Sequence, residues 1–129
     1  MTKEANIVLA KGEVLRNGNV IEFRFYDDVV LESEDIIEMN KASTILCQGE
    51  TLPHLIIPGL HMTASKEARE TDIMEQRAKN TLCEAIVLNN LAIRLVATLY
   101  YRFNPTPFET KQFKSVESAR RWIAQQGKK

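Results

Sequence analysis

Few side chains in this sequence are spaced so that they could do chemistry, and most of them sit around one loop. Thr63 and Ser65 stand just ahead of a helix-like segment that opens at Lys66. A hydroxyl there can cap free backbone N–H groups, or carry a phosphate that those groups and the helix dipole would favour. His61, Lys66 and Arg69 complete this candidate partner-binding or phosphorylation site. His54 and His61 are the two histidines, and no organised cysteine or carboxylate spacing surrounds either. They read as hydrogen-bonded core or surface groups, and neither a metal nor a cofactor is expected. Cys47 and Cys83 form no CxxC pair and lie in apolar or helical surroundings, where a thiol acts as a small buried hydrophobe. Glu84 interrupts an apolar strand. If its side of the strand is covered, it must pair with a lysine or arginine; if that side is open, it is a solvated carboxylate. There is no GxSxG elbow, P-loop, dinucleotide fingerprint or defensible Cys–His pair, so a non-enzymatic protein is expected.

These groups need a scaffold, and its centre is the stretch from Leu82 to Phe103. An apolar strand over Leu82–Leu88 and an Asn89-Asn90 break lead into a helix over Leu91–Phe103 that is apolar around most of its circumference. Arg94, Thr98 and Arg102 form its single polar stripe. So wide an apolar arc fits burial between sheet and helices. Leu91, Leu95, Leu99 and Tyr100 are alternatively the candidate residues for a homo-oligomer interface or an apolar pocket.

The remaining elements follow from periodicity and turn chemistry. Asn17-Gly18 predicts a type I′ hairpin within Ile7–Tyr26, pairing Val14 with Ile21 and Gly12 with Phe23. One face then carries Val14, Ile21, Phe23 and Phe25, and the other, wet face carries Lys11, Glu13, Glu22 and Arg24. Ser33 should cap a helix over Glu34–Gln48 that Gly49 stops. Leu52–Ile57 is a strand, and Pro58–Ser65 a loop. Lys66–Asn80 is a charged surface helix, Phe108–Phe113 a strand, and Val116–Gln126 a helix capped by Ser115. Gly127-Lys128-Lys129 should fray. The order is ββαβαβαβα, an α/β fold with a mostly parallel five-stranded sheet entered by an antiparallel hairpin strand.

Composition agrees. With 129 residues, of which 44% are hydrophobic and 26% charged, one domain over 1–129 can bury its own core. Seventeen basic residues balance seventeen acidic ones, which argues against a general nucleic-acid binder and leaves self-association unopposed by net charge. No signal-peptide core is present, and no apolar run reaches the ~18 residues of a membrane span, so a soluble cytoplasmic protein is expected.

The ending Pro107-Phe108-Glu109-Thr110-Lys111-Gln112-Phe113-Lys114-Ser115-Val116-Glu117-Ser118-Ala119-Arg120-Arg121-Trp122-Ile123 resembles the closing strand and helix of the STAS domains, the anti-sigma-factor-antagonist fold. Lys66-Glu67-Ala68-Arg69-Glu70 after the central strand, and the apolar strand followed by Leu91–Phe103, add to the likeness. It spans the last two thirds of the chain and is similar also to the CRAL-TRIO lipid-binding domains. It implies sequential strand order, helices chiefly on one face, and a regulatory module that recognises a protein partner through the Pro58–Ser65 loop and the following helix. The CRAL-TRIO side implies, as the alternative, a carrier of a lipid or other apolar ligand. In sporulation-type members this loop carries a phosphorylated serine or threonine, set after an aspartate and shortly before a glycine. Neither residue accompanies Thr63 or Ser65 here, and Pro58-Gly59 stands where an acidic strand end is expected.

Overall fold

The computed structural model describes residues 5–103 and 105–126, apart from the side chains of Tyr100 and Phe103. Gly127-Lys128-Lys129 and the fraying expected there lie outside the described residues. In chain order the elements are β1 (Ala5–Val8), β2 (Gly12–Asn17), β3 (Val20–Phe25), β4 (Val30–Leu31), α1 (Ser33–Cys47), β5 (Leu52–Ile57) and β6 (Thr63–Ala64). Then follow α2 (Lys66–Arg69), α3 (Met74–Asn80), β7 (Thr81–Val87), α4 (Leu91–Phe103), β8 (Glu109–Phe113) and α5 (Val116–Gln126).

The main sheet runs β1-β2-β3-β5-β7-β8. β1 to β3 are antiparallel, and β3, β5, β7 and β8 are mutually parallel. This is the expected sequential α/β sheet with a sixth strand added. The chain reverses at Leu9–Lys11, where the Leu9 N–H donates to the Gly12 carbonyl at 2.8 Å, and what reads as one long first strand becomes two. β4 and β6, two residues each, form a separate parallel pair that periodicity is too short to reveal.

The hairpin register differs from the expected one by two residues. Asn17 pairs with Val20, so Gly18 (φ +63°) and Asn19 are the central turn residues. Positive φ at the first of these is the type II′ arrangement, which needs glycine there just as I′ does at its second position. Val14 therefore faces Phe23, and Gly12 faces Phe25. A two-residue slip leaves every side chain on its face, so Val14, Ile21 and Phe23 still share the buried one.

That face packs against Met39, Ala42 and Leu46 of α1, and further along the sheet Ile86 and Leu88 pack against Ile93 and Ala97 of α4. The opposite face is wet only in part, with Arg24 exposed and Glu13 half-buried. Ala119 and Ile123 of α5 cover Leu55, Ala85 and Val87, and Glu22 is fully buried beneath the same helix. Arg120 of α5 and Arg24 both hydrogen-bond the Glu22 carboxylate. Burial alone would raise the Glu22 pKa; the bonds from Arg120 and Arg24 outweigh it and hold the group below its usual value. Alternation shows that Glu22 and Arg24 share a face, but the helix covering it comes from ninety-odd residues away.

Two helix boundaries also shift. α1 is capped by Glu32, whose side chain and that of Asp35 form a reciprocal capping box, and Ser33 is already helical. The expected helix over Lys66–Asn80 breaks into α2 and α3. Thr71 Oγ1 donates to the Glu67 carbonyl at 2.7 Å, and Asp72 Oδ1 accepts from the Met74 N–H at 3.2 Å. These side-chain bonds compete with the helical ladder, as Thr and Asp do.

Candidate functional site

Glu84 resolves to the covered alternative. On β7 it shares a face with Ile86, is fully buried, and pairs across the sheet with His54 on β5 and Thr110 on β8. Arg77 of α3 forms a buried ion pair with one of its oxygens, and the Tyr101 hydroxyl of α4 donates to the other. The Arg77 guanidinium also lies 5.1 Å from the centre of the Phe108 ring. A charge this deep is tolerated only because its partners neutralise it and fill its lone pairs. One carboxylate thus ties α3, α4 and the sheet together.

Above this network lies an apolar cavity of about 110 Å³, partly open to solvent, between α1, α4 and the sheet. Its wall includes Phe25, Met39, Ile56, Ile73, Val96 and Ala97. Among its polar lining groups, Asn40 is bonded to Gln76 at 2.8 Å and Arg77 to Glu84. What the cavity offers a guest is therefore almost entirely carbon.

His54 sits beside the network in a shell of its own. Its ring is 5.4 Å from that of Phe23, with Thr81 Oγ1 3.4 Å from Nδ1 and Cys47 Sγ 4.0 Å from Nε2. Burial, and then the charge of Arg77, push its pKa down to about 3. Burial likewise pushes the Cys47 thiol up, so it is a weak nucleophile. Cys47 and Cys83 are both buried, and they are not joined in a disulfide. Among the described residues, no three His, Cys, Asp or Glu side chains come together as metal ligands. No helix among them is long and apolar enough to cross a membrane.

The loop residues fall elsewhere, on the rim. The backbone is stapled by Thr63 N–H to Val29 O (3.0 Å) and Ser65 N–H to Leu31 O (2.9 Å). Ser65 Oγ accepts from the Ala68 N–H at 3.1 Å and so caps α2, a single turn. Arg69 Nη1 donates to the Ala64 carbonyl at 2.6 Å. His61, Thr63 and Lys66 are exposed, with His61 at φ +60°. On α4, Leu91, Leu95 and Leu99 point outward, 70%, 58% and 38% exposed, and do not line the cavity; Ile93, Val96, Ala97 and Tyr101 do. The Tyr100 side chain lies outside the described residues.

Sequence reasoning names Glu84 but misses Arg77, Asn40 and Tyr101. The signal for Arg77 exists only as a demand: a covered Glu84 needs a cation, and several basic residues of α2 and α3 qualify by type.

A solved structure with this architecture is that of an uncharacterized protein of the DUF3478 family with a SpoIIAA-like fold from Shewanella loihica PV-4. It is 19% identical, with a TM-score of 0.60 over 93% of this chain and 94% of that one. Its fold is that of the STAS domains, so the fold here is STAS-like. No curated protein is significantly similar. The chain belongs to the family described as Domain of unknown function (DUF7793), whose model matches residues 14–126.

Proposed function

We propose that this chain is a non-enzymatic, STAS-like binding module of the cytoplasm, and that it holds a small uncharged apolar ligand in the cavity between α1, α4 and the sheet. The observation that carries this reading is a carbon-lined cavity whose charged group, Arg77, is already neutralised by Glu84. A charged ligand would have to break that pair, whereas an apolar one leaves it whole. An enclosed cavity of about 150 Å³ takes benzene. One of about 110 Å³ with an open side accepts a ring or the end of a short chain, the rest emerging toward solvent. The test is titration with the uncharged dye N-phenyl-1-naphthylamine, with mass spectrometry of gently prepared protein for a co-purifying molecule. Saturable dye binding that Ala97→Leu abolishes, while its urea midpoint stays close to that of the parent, supports the reading. Dye binding unchanged by Ala97→Leu and Val96→Phe overturns it.

The second reading is recognition of a protein partner through the Pro58–Ser65 loop and α2. The observation favouring it is that His61, Thr63 and Lys66 are exposed on a backbone held by the β4–β6 pair. Phosphate analysis of native protein and a pull-down comparing wild type with Ser65→Asp test it. Absence of phosphate, together with identical partners for both forms, ends the phosphoswitch.

A further inference from the structure

The outer surface of α4 is chemically organised in a way that neither the cavity nor the loop uses. Leu91, Leu95 and Leu99 form one exposed ridge at i, i+4 and i+8. At 3.6 residues per turn, positions 94 and 96 lie about 100° to either side of Leu95. On the first flank stand Arg94, Thr98 and Arg102, all exposed; neither arginine has an acidic partner among the described residues. On the second flank, Val96 turns down into the cavity wall it shares with Ile73. Around Ile73, on α2, α3 and the link between them, the exposed carboxylates Glu67, Glu70, Asp72 and Glu75 outnumber the exposed lysines Lys66 and Lys79, so this stretch is acidic on balance. The surface is thus an apolar ridge with cations along one side and, beyond the Val96–Ile73 wall, a stretch of net acidic charge on the other.

We propose that this surface is the contact between two copies of the chain, paired through parallel α4 helices. An isologous contact must be complementary to itself, and a ridge bordered by opposite charges meets that condition in one orientation only. A two-fold axis running along the ridge keeps the helices parallel and exchanges the flanks, so Arg94 and Arg102 meet the acidic flank of the second copy. An axis across the ridge sets the helices antiparallel and brings arginine flank against arginine flank, which like-charge repulsion disfavours. A zero net charge adds no long-range opposition. The thirteen residues of α4 span about 20 Å, so the contact falls at the small end of specific interfaces and the dimer is in rapid exchange.

Sedimentation velocity over a range up to hundreds of micromolar tests this, with salt as a second variable. A dimer is expected that weakens with salt and that Leu95→Glu abolishes. The pair Arg94→Glu/Arg102→Glu should lose about tenfold or more in self-association, as should Glu70→Arg/Asp72→Arg. Mixing the two reversed proteins should restore dimerisation between them. Leu91→Cys under mild oxidation should cross-link to its own copy, and a mixture of Leu91→Cys with Leu99→Cys should not form the crossed product. A strict monomer, a dimer indifferent to Leu95→Glu, or the crossed product each overturns the proposal. A monomer that binds phosphatidylglycerol vesicles through the same leucines would instead assign the ridge to a lipid surface. Dye binding in the cavity is read separately, so failure here leaves that reading standing.

Discussion

At His54 the surroundings oppose protonation from two directions, the burial of the ring and the nearby Arg77 charge. The folded protein keeps this histidine neutral down to about pH 3, while the unfolded chain takes up a proton near pH 6.5. Between those values the unfolded state binds more protons, so this contribution is intact above pH 6.5 and is lost progressively as pH falls. Urea unfolding at about pH 7.5 and 5.5 should show a loss of roughly 1 kcal/mol from this residue, and His54→Gln should flatten that part of the slope. An unchanged slope in the variant would remove His54 as the cause. Glu22 acts in the same direction at lower pH, because its depressed pKa makes its pairing with Arg120 and Arg24 available only while it is ionised. At Glu84 the prediction concerns pairing. Arg77→Met or Glu84→Leu alone strands a buried charge and should cost about 3–5 kcal/mol. The double variant should be less destabilised than either single one, whereas costs that simply add would show the two residues to be independent. Tyr101→Phe leaves one carboxylate oxygen short of a donor and should cost about 1–3 kcal/mol.

Among the elements, the loop after β5 shows how closely the backbone is packed around the rim. A Cβ on Gly59 would come within 2.1 Å of the Tyr26 carbonyl oxygen, so this glycine is there for close approach between two segments. Its N–H points at Met62 Sδ, 3.2 Å away, and Leu60 N–H bonds Asp27 Oδ1 at 2.8 Å. Gly59→Ala should therefore lower stability by about 1–3 kcal/mol through a forced backbone shift. Gly18→Ala should cost less, because nothing crowds its Cβ and only the positive φ is strained. Equal urea midpoints for the two would contradict this ranking. A strand pattern with Pro58-Gly59 after it reads as a turn from composition alone. That the glycine is needed for contact with Tyr26, over thirty residues earlier, has no trace in local sequence.

Across the whole molecule, α4 stands between the two proposed surfaces. Its inner side supplies Ile93, Val96 and Ala97 to the cavity, and its outer side carries the leucine ridge. A ligand that fills the cavity binds only the folded state, so it should stabilise the protein by about 2.7 kcal/mol when present at a hundredfold excess over its dissociation constant. A rise in the thermal midpoint with N-phenyl-1-naphthylamine, absent in Ala97→Leu, is the corresponding measurement. No rise in either protein would mean that the dye does not prefer the folded state.

By itself the sequence determined those features that arise from neighbours along the chain. Alternation set which hairpin residues share a face. Helical periodicity and a capping serine set α5, and an apolar helix after an Asn-Asn break set α4 at Leu91–Phe103. The order of strands and helices, with the closing motif, was enough for the STAS-like fold. Only the tertiary structure decided which faces are covered and by what. It buried Glu22 under α5, gave Glu84 its arginine, and turned Leu91, Leu95 and Leu99 outward while Val96 and Ala97 closed a cavity. The physical reason is the range of the interactions. Periodicity and caps act within a turn or a strand. Burial of a charge or the walls of a cavity depend on side chains brought together from Glu22 to Arg120, and no local pattern records which distant partner will arrive.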